Sequence, residues 1–241
     1  MTGGSKGIGA ALCRCLAANG VNVAVVAREP LGIQGMVDEL RGIGVHAFGY
    51  SADCADAGAV AALLPRVARD LGDVHLLAPF AGGFERRTPL LETTAEEFRE
   101  VVDQNLTSTF LALKAFTPQM VERRSGAVVT MASNAGRHLD STLTAHYAAA
   151  KAGVVMLTRH AALELGPSRV RVNCVAPATS LTERIQRTMD PDRLQSMADL
   201  APLGRVGTAM DSALAALFLL SDSAAWITGL TLDVSGGRVM L

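Results

Sequence analysis

The chain has 241 residues, 49% of them hydrophobic, a formal net charge of −1 and no block of Lys or Arg. That is enough apolar material for one large core, so a single α/β domain over residues 1–241 is the expectation. The charge balance argues against a nucleic-acid partner. No apolar run reads as a membrane span: residues 213–220 are short and lie between Asp211 and Asp222. No signal peptide precedes the first motif. Cys13, Cys15, Cys54 and Cys174 form no C-x-x-C and no metal-ligand spacing, which predicts free thiols in a cytoplasmic protein and no metal site.

Residues 2–9 read Thr-Gly-Gly-Ser-Lys-Gly-Ile-Gly. A helix is expected from Ala10 to Asn19, ended by Gly20, then a strand from Val21 to Ala27. Glycine-rich turn, helix, strand is the order of a dinucleotide-binding unit, in which the backbone approaches a pyrophosphate and the helix N-terminus supplies free N–H groups. Only Met1 precedes the turn, where a buried strand of five or six residues should launch it. The sequence therefore predicts a gap at the sheet centre, and extra residues upstream of the chain as given. Helices follow at 30–42 and 56–71, with strands at 45–51 and 73–80. Thr94-Ala95-Glu96-Glu97 reads as a capping box opening a long helix to Val121. A strand from Gly126 to Ala132, a helix over 147–165 and a strand from Val170 to Val175 come next. Residues 182–199 are polar and amphipathic, Thr208 starts a helix to Leu220, and Leu230 to Val234 is the last strand. Such alternation predicts a doubly wound, Rossmann-type parallel sheet with helices on both faces.

Tyr147 and Lys151 stand four apart on the helix over 147–165, so they share a face, roughly 5–6 Å apart at Cβ. A phenol exchanges protons poorly at neutral pH, and a nearby ammonium favours the phenolate. The pair suits general acid/base work on a carbonyl or an alcohol.

The turn Thr2-Gly3-x-x-x-Gly7-Ile8-Gly9, Asn105, Ser133, Tyr147-x-x-x-Lys151, Pro177 to Thr182 and Ile227-Thr228-Gly229 stand in one order along the chain. In this the chain resembles the short-chain dehydrogenase/reductase family, in particular its NADP(H)-dependent 3-oxoacyl-thioester reductases. The resemblance covers essentially the whole chain and implies a strand order 3-2-1-4-5-6-7. It implies that Tyr147 transfers the proton and that Lys151 lowers the phenol's pKa and binds the nicotinamide ribose. Ser133 would hold the substrate oxygen, and Asn105 would position a water on a proton path to Lys151. Cofactor contacts would come from Gly3, Ser5, Lys6, Gly7, Ile8 and Gly9. Further contacts would come from Arg28, Asp53, Cys54, Ala81 and Gly82, and from Tyr147, Lys151, Pro177, Ser180 and Thr182. A homodimer or homotetramer packed through the helix over 147–165 and the one before it is also implied.

Charge decides between the two dinucleotides. NAD-selective folds place an acid at the end of the second strand; here Ala27 stands there and Arg28 follows. Arg28, with Lys6 in the turn, can grip a 2′-phosphate, which predicts NADP(H) over NAD(H). Three departures bear on the site. Pro79-Phe80-Ala81-Gly82 replaces the family's Asn-Asn-Ala-Gly, removing two amides that brace the sheet centre. Ala178 replaces a glycine after Pro177, so the turn must avoid positive φ. The loop over 134–146 carries one residue more than is usual. That loop and residues 178–204 should wall a pocket for a small carbonyl or alcohol substrate, with His138, Asp140, His146, Thr179 and Met189 as lining candidates. The Ser-Tyr-Lys-Asn set argues for a ketone/alcohol oxidoreductase. The missing strand and lost amides leave, as the alternative, a non-catalytic dinucleotide-binding sensor.

Overall fold

The computed structural model describes residues 1–84, 86–138 and 144–240. The glycine turn feeds α1 (Gly7–Ala18), followed by β1 (Val23–Ala27), α2 (Pro30–Ile43) and β2 (Ala47–Ser51). Proline at the first turn of α2 and Gly44 at φ 106° after its end mark its limits. The helix expected over 56–71 is two, α3 (Ala57–Ala61) and α4 (Leu63–Leu71), which meet at Ala62. β3 (Leu76–Leu77) precedes α5 (Ala95–Val102), a π-helical turn over Asp103–Thr107, and α6 (Ser108–Glu122). Then come β4 (Gly126–Met131), α7 (Ala145–Leu165), β5 (Val170–Pro177) and the short β6 (Ser180–Leu181). The segment over 182–199 is also two helices, α8 (Glu183–Thr188) and α9 (Pro191–Asp199), because Asp190 and Pro191 start a new one. β7 (Gly207–Thr208), α10 (Ala209–Leu220) and β8 (Thr231–Val234) complete the order.

The capping box at Thr208 forms with Asp211. The one expected at Thr94 forms by half: Thr94 accepts from Glu97 N–H, but the Glu97 carboxylate turns instead to the Thr88 hydroxyl and Arg86.

β1 pairs in parallel with β2, and β3, β4, β5 and β8 form a second parallel set in that order. Between β1 and β3 lies Thr2, bridged to Val26 on one side and to Pro79 on the other. The order β2, β1, Thr2, β3, β4, β5, β8 is the expected one, with its central strand reduced to a single bridging residue. Met1 and Thr2 close the end of the sheet nearest the glycine turn. Val26 N donates to Met1 O at 2.9 Å, Thr2 N to Ala78 O at 3.1 Å and Phe80 N to Thr2 O at 3.2 Å. β3 covers two residues where 73–80 was expected, since only its far side has a full ladder partner. One core packs α1, α2 and α10 against a face of the sheet; another packs α4, α6 and α7 against the opposite face. No helix among the described residues is long and apolar enough to cross a membrane.

Candidate active site

The strands run parallel, so their C-terminal ends share one edge, and a cavity of about 850 Å³ opens there. Gly3, Ser5, Lys6, Gly7, Ile8 and Gly9 line its floor. This turn closes tightly only without side chains. Gly3 has φ 66°, and a Cβ there would stand 2.9 Å from the Phe80 carbonyl; a Cβ on Gly9 would stand 2.1 Å from Gly3 O. The first N–H groups of α1 have no partner inside the helix, so the floor offers donors and positive potential to an anion. Arg28, Asp53 and Cys54 line one end. Asp53 Oδ1 accepts from Ala55 N at 2.9 Å, which holds that turn. Ala81, Gly82 and Thr182 line the opposite wall, where Thr182 caps α8 and its Cγ2 faces Gly7. The cradle, its open donors and its length suit a dinucleotide.

Ser133 stands just beyond the end of β4, where its hydroxyl donates to Asn134 Oδ1 at 3.2 Å and accepts from Ala135 N at 3.2 Å, and its presence beside Tyr147 favours the phenolate. Lys151, one turn along α7, is 2% exposed; its Nζ lies 5.6 Å from the Tyr147 ring centroid. It donates to Met131 O at 2.9 Å, and Met131 lines the cavity, so the ammonium sits directly behind the wall. Asn105 lies in the π-helical turn and is fully buried. Its amide accepts from Gly83 N at 2.9 Å and donates to Gly83 O at 2.7 Å and to Val101 O at 2.8 Å. This amide, with Thr2 Oγ1 accepting from Ala81 N at 3.2 Å, braces the segment whose own amides are missing. The Asn105 side chain is therefore committed to backbone groups of Gly83 and Val101.

A family model described as Enoyl-(Acyl carrier protein) reductase matches residues 3–238. The 3-oxoacyl-[acyl-carrier-protein] reductase FabG of Staphylococcus aureus is 36% identical over 241 residues, covering 100% of this chain and 97% of the relative. FabG of Escherichia coli is 34% identical, at 100% and 96% coverage. The crystal structure of a 3-oxoacyl-[acyl-carrier protein] reductase with bound NAD from Brucella melitensis superposes with a TM-score of 0.92 at 32% identity, covering 100% of this chain and 90% of that one. The chain belongs to the short-chain dehydrogenase/reductase family.

Within this short-chain reductase fold, several expected residues stand elsewhere. Pro177 ends β5 and pairs with Val234, Ser180 lies in β6, and neither lines the cavity. Ala178 avoids positive φ, as the missing glycine required. Thr179 lines a second cavity of about 370 Å³ beside Arg205 and Gly236. His138 is exposed, and Met189 ends α8 outside the cavity lining. His146 is not a lining residue: it is 1% exposed, with both ring nitrogens unpartnered. Asp140 lies outside the described residues. All four cysteines are buried and unpaired, and no acidic, His or Cys cluster among the described residues can hold a metal.

The electrostatics differ from expectation in two places. Burial pushes the Tyr147 phenol above its ordinary range, opposed by the Ser133 hydrogen bond and then by the Arg184 charge. Lys151, whose Nζ lies 5.6 Å from the Tyr147 ring centroid, has its own ammonium pulled down to about 8 by burial and donates to Met131 O. At the other end of the cavity, Lys6 is paired with Glu29 rather than free for a phosphate. Sequence reasoning missed Glu29, Phe84 and Arg184. Glu29 was legible, next to Arg28; the other two meet across 100 positions, and no local pattern signals that contact.

Proposed function

We propose that this short-chain reductase interconverts a ketone and a secondary alcohol with a nicotinamide dinucleotide, and that its substrate is a 3-oxoacyl thioester. The observation that carries this reading is the buried Lys151 ammonium over the Tyr147 ring on α7, its Nζ bonded to Met131 O, and Met131 itself lining a cavity of about 850 Å³ floored by the glycine turn. The dinucleotide supplies or removes the hydride. Ser133 orients the substrate oxygen by hydrogen bonding, and Tyr147, whose phenol holds its proton at neutral pH, gives that proton to the oxygen. The buried Lys151 ammonium stabilises the phenolate left behind. Glycines 3, 7 and 9 and the start of α1 seat the pyrophosphate, and Asn105 keeps the Gly82–Gly83 wall in place.

Arg28 supports NADP(H), since it lines the cavity and no carboxylate among the described residues is paired to it. The Lys6–Glu29 pair favours a second reading, in which Glu29 takes ribose hydroxyls and NAD(H) is accepted as well. The exposed side chains Phe98, Phe110, Met156 and Leu163 on α5, α6 and α7 support a homo-oligomer, a dimer or tetramer. Four unpaired thiols fit a reducing, cytoplasmic compartment. The test is consumption of NADPH and of NADH with 3-oxoacyl thioesters and with simple ketones. Turnover of the thioesters with NADPH supports the proposal. Dinucleotide binding without turnover of any carbonyl compound overturns it in favour of a sensor.

A further inference from the structure

Phe84 packs on the Tyr147 ring at 4.7 Å between centroids, tilted by 51°. Its position is built from both sides in the chain. Gly82 and Gly83 precede it at φ 144° and 140°, a backbone that side chains rarely adopt. A Cβ on Gly82 would also stand 2.5 Å from Asn105 Oδ1. Asn105 grips both the N–H and the C=O of Gly83, at 2.9 and 2.7 Å. On the far side of this clamp, Arg184 Nη1 donates to Phe84 O at 2.7 Å, and its guanidinium lies 5.8 Å from the Phe84 centroid. Phe84 is thus held against Tyr147 by α8 and by the π-helical turn. Arg184 and Gly83 line the cavity of about 850 Å³, whereas Tyr147 does not. The ring between them has contacts with both sides.

We propose that Phe84 is a specificity-determining residue that limits the width of the carbonyl substrate at Tyr147. The inference rests on Tyr147 being the proton donor. A substrate oxygen must come within hydrogen-bond distance of the phenol, so both groups on the carbonyl carbon must fit beside the ring that packs on Tyr147. A straight acyl chain is slender and can lie along an aromatic face. A ring or branch on the carbonyl carbon needs the volume that Phe84 already fills, and two groups cannot share it at protein packing density. Phe84 does not yield freely, since moving it breaks the Arg184 bond or the Asn105 clamp. The size of the effect follows from pocket discrimination in general. One methylene is worth roughly 10–200-fold, so removing a whole phenyl ring is enough to shift a preference by at least about tenfold. A side chain that only supported the Tyr147 ring would, when truncated, lower the turnover of slender and wide substrates alike.

The test compares two N-acetylcysteamine thioesters, one with a straight 3-oxoacyl chain and one with a phenyl group on the ketone carbon. Their kcat/KM with NADPH is measured for the parent, Phe84→Leu and Phe84→Ala. Their Kd is measured by calorimetry on the same proteins saturated with NADP+, where no hydride can move. Phe84→Ala should raise the phenyl-to-straight ratio of kcat/KM by at least about tenfold, and the Kd ratio should shift the same way. Phe84→Leu should fall between the two. A smaller rise in Phe84→Ala, or an equal loss for both thioesters, overturns the proposal and makes Phe84 a packing residue. If Phe84→Ala does not fold, Phe84→Leu decides, and an unmoved ratio there overturns it. If the parent turns over neither thioester while Phe84→Ala still shifts the Kd ratio, the reductase reading falls and the width limit stands.

Discussion

Replacing Lys151 by methionine should make the protein more stable while damaging its chemistry. Lys151 is 2% exposed, and burial lowers its ammonium from 10.5 to about 8. At about 1.4 kcal/mol per unit, holding that charge inside costs on the order of 3 kcal/mol at neutral pH. Methionine fills similar space without charge, but Met131 O then loses its donor, which returns about 1 kcal/mol. The net gain is about 1–2 kcal/mol at pH 7. The sign with pH follows from a folded value below the unfolded one. Below about 8 both states hold the proton and the parent bears the full cost. Between about 8 and 10.5 the folded parent sheds its proton while the unfolded chain keeps it, so the parent gains stability as pH rises. The advantage of Lys151→Met is thus fully present below about 8 and gone above 10.5. Urea unfolding of both proteins, without added dinucleotide, at neutral and at alkaline pH measures it. A variant less stable than the parent at pH 7, or a difference that does not change with pH, refutes the burial argument.

Arg28→Ala should weaken NADPH by about 1.5–3 kcal/mol, the scale of a charge-assisted hydrogen bond, and leave NADH almost unchanged. Glu29→Gln should release Lys6 and tighten NADPH; titrations showing equal changes for both dinucleotides would make these residues structural. Asn105→Ala strands the Gly83 N–H and C=O and should cost about 2–4 kcal/mol in thermal melting, with weaker dinucleotide binding. A variant that melts with the parent would show that water replaces the brace.

The element order, the glycine turn and the Tyr147–Lys151 face were legible because each is local: a spacing, a cap or a run of one hydropathy. Asp190-Pro191 also carried the break between α8 and α9 in its residues, although the amphipathic run across it concealed it. What escaped was long-range. Asn105 looked like an ordinary helical polar position, yet the π-helical turn aims it at Gly83, 22 residues away. The acidity of Tyr147 was assigned to its nearest cation in sequence. In the fold, burial raises the phenol, and Lys151, beside the ring, also donates to a strand carbonyl. At the sheet centre, Met1 and Thr2 bridge the two neighbouring strands beside the glycine turn, where the turn needs support.

The central claim is that Tyr147 is the proton donor of a carbonyl reductase. It is tested most directly by single-turnover reduction of a 3-oxoacyl thioester by the parent and by Tyr147→Phe, with the dinucleotide Kd measured on the same samples. The account predicts a rate lower by about 10²–10⁴ with Kd nearly unchanged, because the hydroxyl moves the proton while the ring only packs on Phe84. A rate within about tenfold of the parent would contradict it, since a positioned general acid contributes more than that.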